Sequence, residues 1–137
     1  SQLPYRRVGS IFTTIEKDFF KILKEIADQE KFLLFAKVRL EDLLWLPYDI
    51  ENRFGLRNRV KSRHIDFVIC DPINIRPLLA IELDDSTHDR WDRIERDNNI
   101  DRILKDAGLP ILHAQVQHSY NASEVLDQIQ EKITTKS

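Results

Sequence analysis

The sequence is poor in the residues that mark several common classes of protein. Its one cysteine, Cys70, excludes a disulfide within the chain and fits a reducing, cytoplasmic location. With only three glycines it has no glycine-rich phosphate loop, and no cysteine–histidine spacing typical of zinc occurs. No apolar run approaches the roughly 20 residues that cross a bilayer, so we expect no membrane contact within this segment. Methionine is absent, even at position 1, so we expect a piece of a longer protein that has other domains.

A strong charge of either sign is also missing. The formal net charge is -2, which argues against binding to nucleic acid through overall charge alone, although a local basic face remains possible. The 137 residues, 42% hydrophobic and 32% charged, suffice for one domain with a real core. We predict an irregular lead-in over residues 1–12 and a single domain over residues 13–135.

Hydrophobic periodicity predicts the order of the elements. Thr13 and Glu16 match a capping box, and apolar residues at helical spacing follow over residues 14–28. Asn121 starts a last helix in the same way. Between these helices we predict strands at about 32–40, 64–70, 77–84 and 110–116, one or two short helices within 41–62, and a charged helix over 90–107 that ends before Gly108. The order α-β-β-β-α-β-α predicts a small α/β domain with a mixed sheet of about four strands flanked by helices.

Carboxylates lie on two of the most apolar strands. Asp66 belongs to the run HIDFVIC, and Glu82 and Asp84 end the run LLAIELD. Burial of a carboxylate is costly unless it is paired or bound to a cation. Because side chains alternate across a strand, the three acids converge if the two strands are neighbours with their acids on one face. Such a cluster suits Mg²⁺ or Mn²⁺, which prefer oxygen ligands.

The sequence order and these residues resemble the PD-(D/E)XK superfamily of nucleases, which have the restriction-endonuclease-like fold. The resemblance covers residues 10–118. It is carried by residues 13–20, 61–70, 80–88 and 92–108. More narrowly, the chain resembles a bacterial family of nuclease-related domains of unknown function, and more distantly the very-short-patch-repair endonucleases.

The resemblance implies roles for the acids. Asp66 would be the principal metal ligand, Glu82 the acid of the motif's second half, and Glu16 the acid of the first helix. Asp84 stands where the superfamily has lysine, so it could be a further ligand or a base but cannot supply positive charge. Lys37, His88 or Arg96 could supply that charge instead.

Ordinary structural roles compete with several of these assignments. Asp84 could simply open a turn, Glu16 is already explained by the capping box, and His88 could be an exposed loop histidine. Arg96 could form a surface ion pair with Asp92, four residues earlier on a helix.

A local basic patch is the best candidate for contact with nucleic acid. It consists of Arg57, Arg59, Lys61 and Arg63 and could line a phosphate-binding edge. A basic helix end that serves only solubility is the alternative. His64, two residues before Asp66, and Arg96 are further candidates for phosphate contact.

These features together predict a nuclease domain that hydrolyses DNA phosphodiester bonds with Mg²⁺ or Mn²⁺. The predicted catalytic residues are Asp66, Glu82, Asp84, His88 and Glu16. Two alternatives stay open, a non-catalytic nucleic-acid-binding module that keeps the fold and a regulatory domain of a larger DNA-processing protein.

Overall fold

In the part of the chain that the structure describes, four helices and a short 3-10 helix surround a four-stranded sheet. A computed structural model describes residues 2–84 and 91–134, with the backbone alone for residues 91–98. The helices are α1 (Thr14–Glu30), α2 (Arg53–Val60), α3 (Trp91–Ala107) and α4 (Ala122–Thr134), and the 3-10 helix spans Leu40–Leu43. The strands are β1 (Leu33–Arg39), β2 (His64–Cys70), β3 (Pro77–Asp84) and β4 (Ile111–Gln115). The predicted fold class and order of elements are confirmed, and the region predicted to hold short helices contains the 3-10 helix and α2.

The sheet is mixed and has the strand order β1-β2-β3-β4. β1, β2 and β3 pair antiparallel, whereas β4 runs parallel to β3. A parallel pair needs a crossover connection, and α3 provides it.

Local sequence signals determine where the helices begin and end. The Thr13 Oγ1 accepts a hydrogen bond from the Glu16 N–H at 3.2 Å, and the Glu16 carboxylate accepts one from the Thr13 N–H at 2.8 Å, which completes the capping box. Asn121 caps α4 by accepting a bond from the Glu124 N–H at 3.1 Å. After α3, Gly108 takes a φ of 82°, a left-handed conformation that suits glycine at a helix end.

The two faces of the sheet bury two separate hydrophobic clusters. On one face, Phe67 and Ile81 pack with the apolar sides of α1 and α4. On the other face, Val68 and Ala80 pack with Leu104 of α3 and with the region of α2. The alternation of side chains along β2 and β3 therefore divides the core into two layers.

The alternation of faces along β2 breaks between Ile65 and Phe67, the two neighbours of the predicted acid Asp66. Alternation would place Ile65 on the same face as Phe67, yet Ile65 packs in the cluster of Val68. At the same level of the sheet, Lys37 of β1 takes a left-handed φ of 53°. The side chains near Asp66 therefore do not follow the strict period that the sequence predicts.

No helix in the described parts of the chain is long and apolar enough to cross a membrane.

Candidate active site at one end of the sheet

One end of the sheet collects the polar residues of all four strands. β1 ends there and antiparallel β2 begins there, while β3 and its parallel neighbour β4 both end there. The topology thus brings the acids of β2 and β3 to the same edge of the domain, as the sequence predicts for neighbouring strands.

The strand register aligns four polar residues in one row across this end. The pairs Ala36↔Phe67 and Val38↔Ile65 flank Lys37 and Asp66 and place them opposite each other. Asp66 and Glu82 are the next residues after the pair Phe67↔Ile81, and Glu82 pairs with His113 of β4. We call Lys37, Asp66, Glu82 and His113 the polar row.

A backbone contact orients Asp66 at the centre of the polar row. The Leu83 N–H donates a hydrogen bond of 2.8 Å to the Asp66 carboxylate. The side chain therefore lies directly beside the Glu82–Leu83 peptide and acts as an acceptor for β3 where the β2–β3 pairing ends. Because a carboxylate has about four lone-pair positions, this bond leaves Asp66 with capacity for another donor or a cation.

Asp84 contacts a histidine instead of joining Asp66. Its carboxylate lies 3.2 Å from Nδ1 of His113, and the other ring nitrogen of His113 lies 2.8 Å from the carboxylate of Asp101 on α3. Burial alone would lower the pKa of His113, but the hydrogen bond and charge of Asp101, with a smaller contribution from Asp84, raise that pKa above its ordinary value. The imidazolium is thus favoured between two carboxylates.

His113 and Asp101 were not predicted as site residues. His113 lies in a short apolar strand, and its partners come from α3 and from a parallel strand reached by a crossover. The sequence did hold one signal for Asp101. Its neighbours Ile100, Ile103 and Leu104 are apolar and pack in the core, which indicates that this side of α3 faces the sheet.

The first-helix acid and the lysine of β1 also meet at this end. The Lys37 ammonium lies 3.4 Å from the Glu16 carboxylate and 5.8 Å from the centre of the Phe12 ring. Partial burial would raise the pKa of Glu16, but the hydrogen bond from the Thr13 backbone and the charge of Lys37 lower it overall. Glu16 therefore serves both the helix cap and this ion pair, which holds the Lys37 ammonium beside Phe12 on the α1 side of the sheet.

A three-ligand metal cluster is not formed by the side chains that the structure describes. Among the side chains of residues 2–84 and 99–134, no group of three histidine, cysteine, aspartate or glutamate residues is placed to hold a metal ion. Asp66 and Glu82 are neighbours in the polar row, whereas Asp84 is directed toward His113. Two carboxylates with waters and substrate phosphate oxygens nevertheless form a usual environment for Mg²⁺.

The remaining predicted residues differ in their accessibility. Arg57, Arg59, Lys61 and His64 are exposed, as contact with phosphate requires. Arg63 is half-buried, and its Nη1 finds no hydrogen-bond partner among the described residues. His88 and the side chain of Arg96 lie outside the described residues.

Comparison with known proteins gives a family but no activity. The model of a family described as "Protein of unknown function (DUF2726)" matches residues 8–133, nearly the whole chain. No curated protein and no solved structure matches the chain significantly.

Proposed function

The chain belongs to the DUF2726 family, and we propose that it is a metal-dependent nuclease domain that hydrolyses phosphodiester bonds in DNA. One observation carries this proposal: Asp66 and Glu82 both adjoin the paired residues Phe67 and Ile81 at the end of the sheet where two core strands separate, and the Leu83 N–H holds Asp66 in place at 2.8 Å. Rigid core strands that end in adjacent, partly solvated acids are a suitable base for a divalent ion and a phosphate.

The fold supports the same proposal. A helix, three antiparallel strands, a crossover helix and a fourth parallel strand occur in this chain in that order. This is the order of the restriction-endonuclease-like core, which we infer for the domain. The polar row lies at the strand ends that would carry the two halves of the nuclease motif.

Three residues of the polar row have roles in the proposed reaction. Asp66 and Glu82 would hold the ion, and the Leu83 N–H keeps Asp66 aimed at it. A divalent ion bound there would lower the pKa of a water and stabilise charge on the phosphate. Lys37, which lies opposite Asp66, would supply the positive charge that Asp84 cannot, and Glu16 positions its ammonium.

A second candidate function rests on Asp84. This residue stands at the position of the superfamily lysine and is engaged with His113, 3.2 Å away. If no other cation replaces that lysine in the reaction, the domain would bind nucleic acid without cutting it.

A cleavage assay with matched variants tests the proposal. Fluorescent single-stranded and duplex DNA would be incubated with the protein in Mg²⁺, in Mn²⁺ and in EDTA. We expect cleavage that depends on the divalent ion and that falls at least about 100-fold in Asp66→Asn and in Glu82→Gln, because each change removes a charged ligand. Asp28→Asn is the control, because Asp28 pairs only locally with Lys24 near the end of α1, at the opposite end of β1.

Two results would overturn the proposal. One is the absence of cleavage in either metal by wild-type protein that binds the same DNA, which would favour the binding module. The other is full activity of Asp66→Asn, which would show that any observed cleavage comes from elsewhere or from a contaminant.

A further inference from the structure

Three large aromatic side chains stand exposed within ten residues of the chain. Trp45 is 79% exposed, Tyr48 is 87% exposed and Phe54 is 79% exposed. By contrast, the rings of Phe12, Phe19, Phe20, Phe67 and Tyr120 pack against one another in the core. We call residues 45–54 the aromatic segment. Aromatic rings clustered on a surface mark a binding site more often than isolated exposed apolar residues do.

The aromatic segment leads directly into the most basic part of the chain. Residues 53–63 contain Arg53, Arg57, Arg59, Lys61 and Arg63 and no acidic residue, although the whole protein carries a net charge of -2. The guanidinium of Arg53 lies 5.1 Å from the centre of the Tyr48 ring, and its Nε donates a 3.2 Å hydrogen bond to the Pro47 carbonyl. The two properties, ring surface and positive charge, are therefore joined at one place.

The position of the aromatic segment relates it to the polar row. The chain from residue 40 to residue 63 connects the end of β1 to the beginning of β2. Both of these strand ends belong to the end of the sheet where Asp66 and Glu82 lie. The Leu40 N–H donates a 2.8 Å hydrogen bond to the Arg63 carbonyl and closes the base of this connection. A ligand on the aromatic segment and α2 would thus be anchored beside the candidate active site.

We propose that the aromatic segment and α2 bind single-stranded DNA and deliver it to the polar row. Unpaired bases would stack on Trp45, Tyr48 and Phe54, while Arg57 and Arg59 contact the phosphates. Stacking on rings that project from a surface requires bases whose faces are uncovered, which a duplex does not offer. The inference rests on the proposed function for the fate of the strand, but the binding itself does not require cleavage.

Charge and chemistry favour this occupant over a protein or a membrane. Residues 53–63 carry five positive charges and no acidic residue, which the phosphates of a DNA strand would match directly. An amphipathic membrane anchor needs a continuous apolar helix face, but α2 has the sequence RFGLRNRV and buries its apolar Val60 in the domain core.

Fluorescence anisotropy in EDTA tests the binding without cleavage. The probes are fluorescein-labelled oligo(dT) of 20 nucleotides and a hairpin duplex with the same number of phosphates. We expect the triple variant Trp45→Ala, Tyr48→Ala, Phe54→Ala to bind oligo(dT) at least about tenfold more weakly, since each lost stack weakens binding severalfold. Arg57→Gln with Arg59→Gln should weaken both probes and reduce the salt dependence.

A matched control removes exposed apolar surface elsewhere. Tyr5→Ala with Ile73→Ala alters two side chains that are 81% and 85% exposed, and it should leave the affinity for oligo(dT) unchanged. Quenching of the Trp45 emission by oligo(dT), measured as the difference between wild type and Trp45→Phe, gives a direct signal of stacking. Circular dichroism of the triple variant checks that it is folded.

The outcomes separate this inference from the proposed function. Aromatic-dependent binding of oligo(dT) by a protein that never cleaves DNA supports the inference and overturns only the nuclease. Equal affinity of wild type and the folded triple variant for oligo(dT) overturns the inference, even if cleavage is observed. A third outcome also overturns the inference. In it, oligo(dT) does not bind, and the rings are instead required for binding to anionic phospholipid vesicles or to a second copy of the chain.

Discussion

The strands β2 and β3 each have two halves with opposite character. In the core half, Phe67, Val68, Leu79 and Ile81 are at most 1% exposed and pack into the two hydrophobic clusters. In the polar half, Asp66 comes just before Phe67 and Glu82 just after Ile81, and both acids are partly exposed. A rigid, water-free core can therefore fix the positions of carboxylates at its edge without the full free-energy cost of burying them. The core half is stabilised by packing, and the polar half by hydrogen bonds and charge.

The largest expected difference between the halves concerns stability. Phe67→Ala removes a ring that contacts Phe12, Phe19 and Phe20, and it should lower the free energy of unfolding by about 3–5 kcal/mol. Asp66→Ala, one residue away, loses the hydrogen bond from the Leu83 N–H and should cost about 1–2 kcal/mol. Urea denaturation followed by circular dichroism measures both.

A reversal of this order would break the comparison. If Asp66→Ala destabilised the protein as much as Phe67→Ala, the carboxylate would be a structural member of the core and a poor candidate for a metal ligand. Asp66→Asn refines the result, because the amide oxygen can still accept the bond from Leu83 while the charge is lost.

The core half could be predicted from the sequence, for a local reason. The register of these antiparallel neighbours shifts between Ile69 and Cys70, next to the short turn. Beyond that shift, the alternation of Phe67 and Ile69 along one strand and of Leu79 and Ile81 along the next fixes which residues face each other. The turn after Cys70 is equally local, because the Asp71 carboxylate accepts hydrogen bonds from the Ile73, Asn74 and Arg76 N–H groups. Glu82 follows from the same pattern, but the pattern does not extend through Asp66, because Ile65 packs in the cluster of Val68.

The partners of the acids could not be predicted in this way. His113 reaches Asp84 and Asp101 only after the crossover through α3 sets the parallel register of β4, and no local pattern encodes that register. Lys37 is drawn to Glu16 at a position where its backbone takes a left-handed φ of 53°, which strand periodicity does not foresee. Contacts between distant elements thus decide the electrostatics of the site.

The pH dependence of stability should separate the polar half from the core half, because only the polar half holds a histidine between two carboxylates. Asp101 and Asp84 raise the pKa of His113 in the folded protein. The folded protein therefore binds a proton on the His113 imidazole more tightly than the unfolded chain does. Its contribution to stability is therefore complete below the ordinary pKa of 6.5 and is lost as the pH rises through the higher folded value. In EDTA, the free energy of unfolding of wild type should fall over this range relative to that of His113→Gln.

His118→Gln is the matched control for this measurement. His118 is exposed, and its replacement should leave the pH profile of wild type in place. If His113→Gln keeps the wild-type profile, the two carboxylates do not hold a proton on the imidazole, and the contact with Asp84 would be a neutral hydrogen bond.

The smallest expected effect is the coupling between Glu16 and Lys37, at the other end of the polar row. Their side chains are 22% and 43% exposed and 3.4 Å apart, so a double-mutant cycle with Glu16→Gln and Lys37→Gln should give about 0.2–1 kcal/mol, falling as salt is added. Glutamine at position 16 preserves the capping box, so the cycle isolates the ion pair. The exposed pair Lys24–Asp28 provides the reference. A coupling above that reference would mean that the fold itself holds the Lys37 ammonium beside Glu16. A coupling of zero would mean that Lys37 must be ordered by the substrate, and its role as the replacement cation would then require a change of side-chain position on binding.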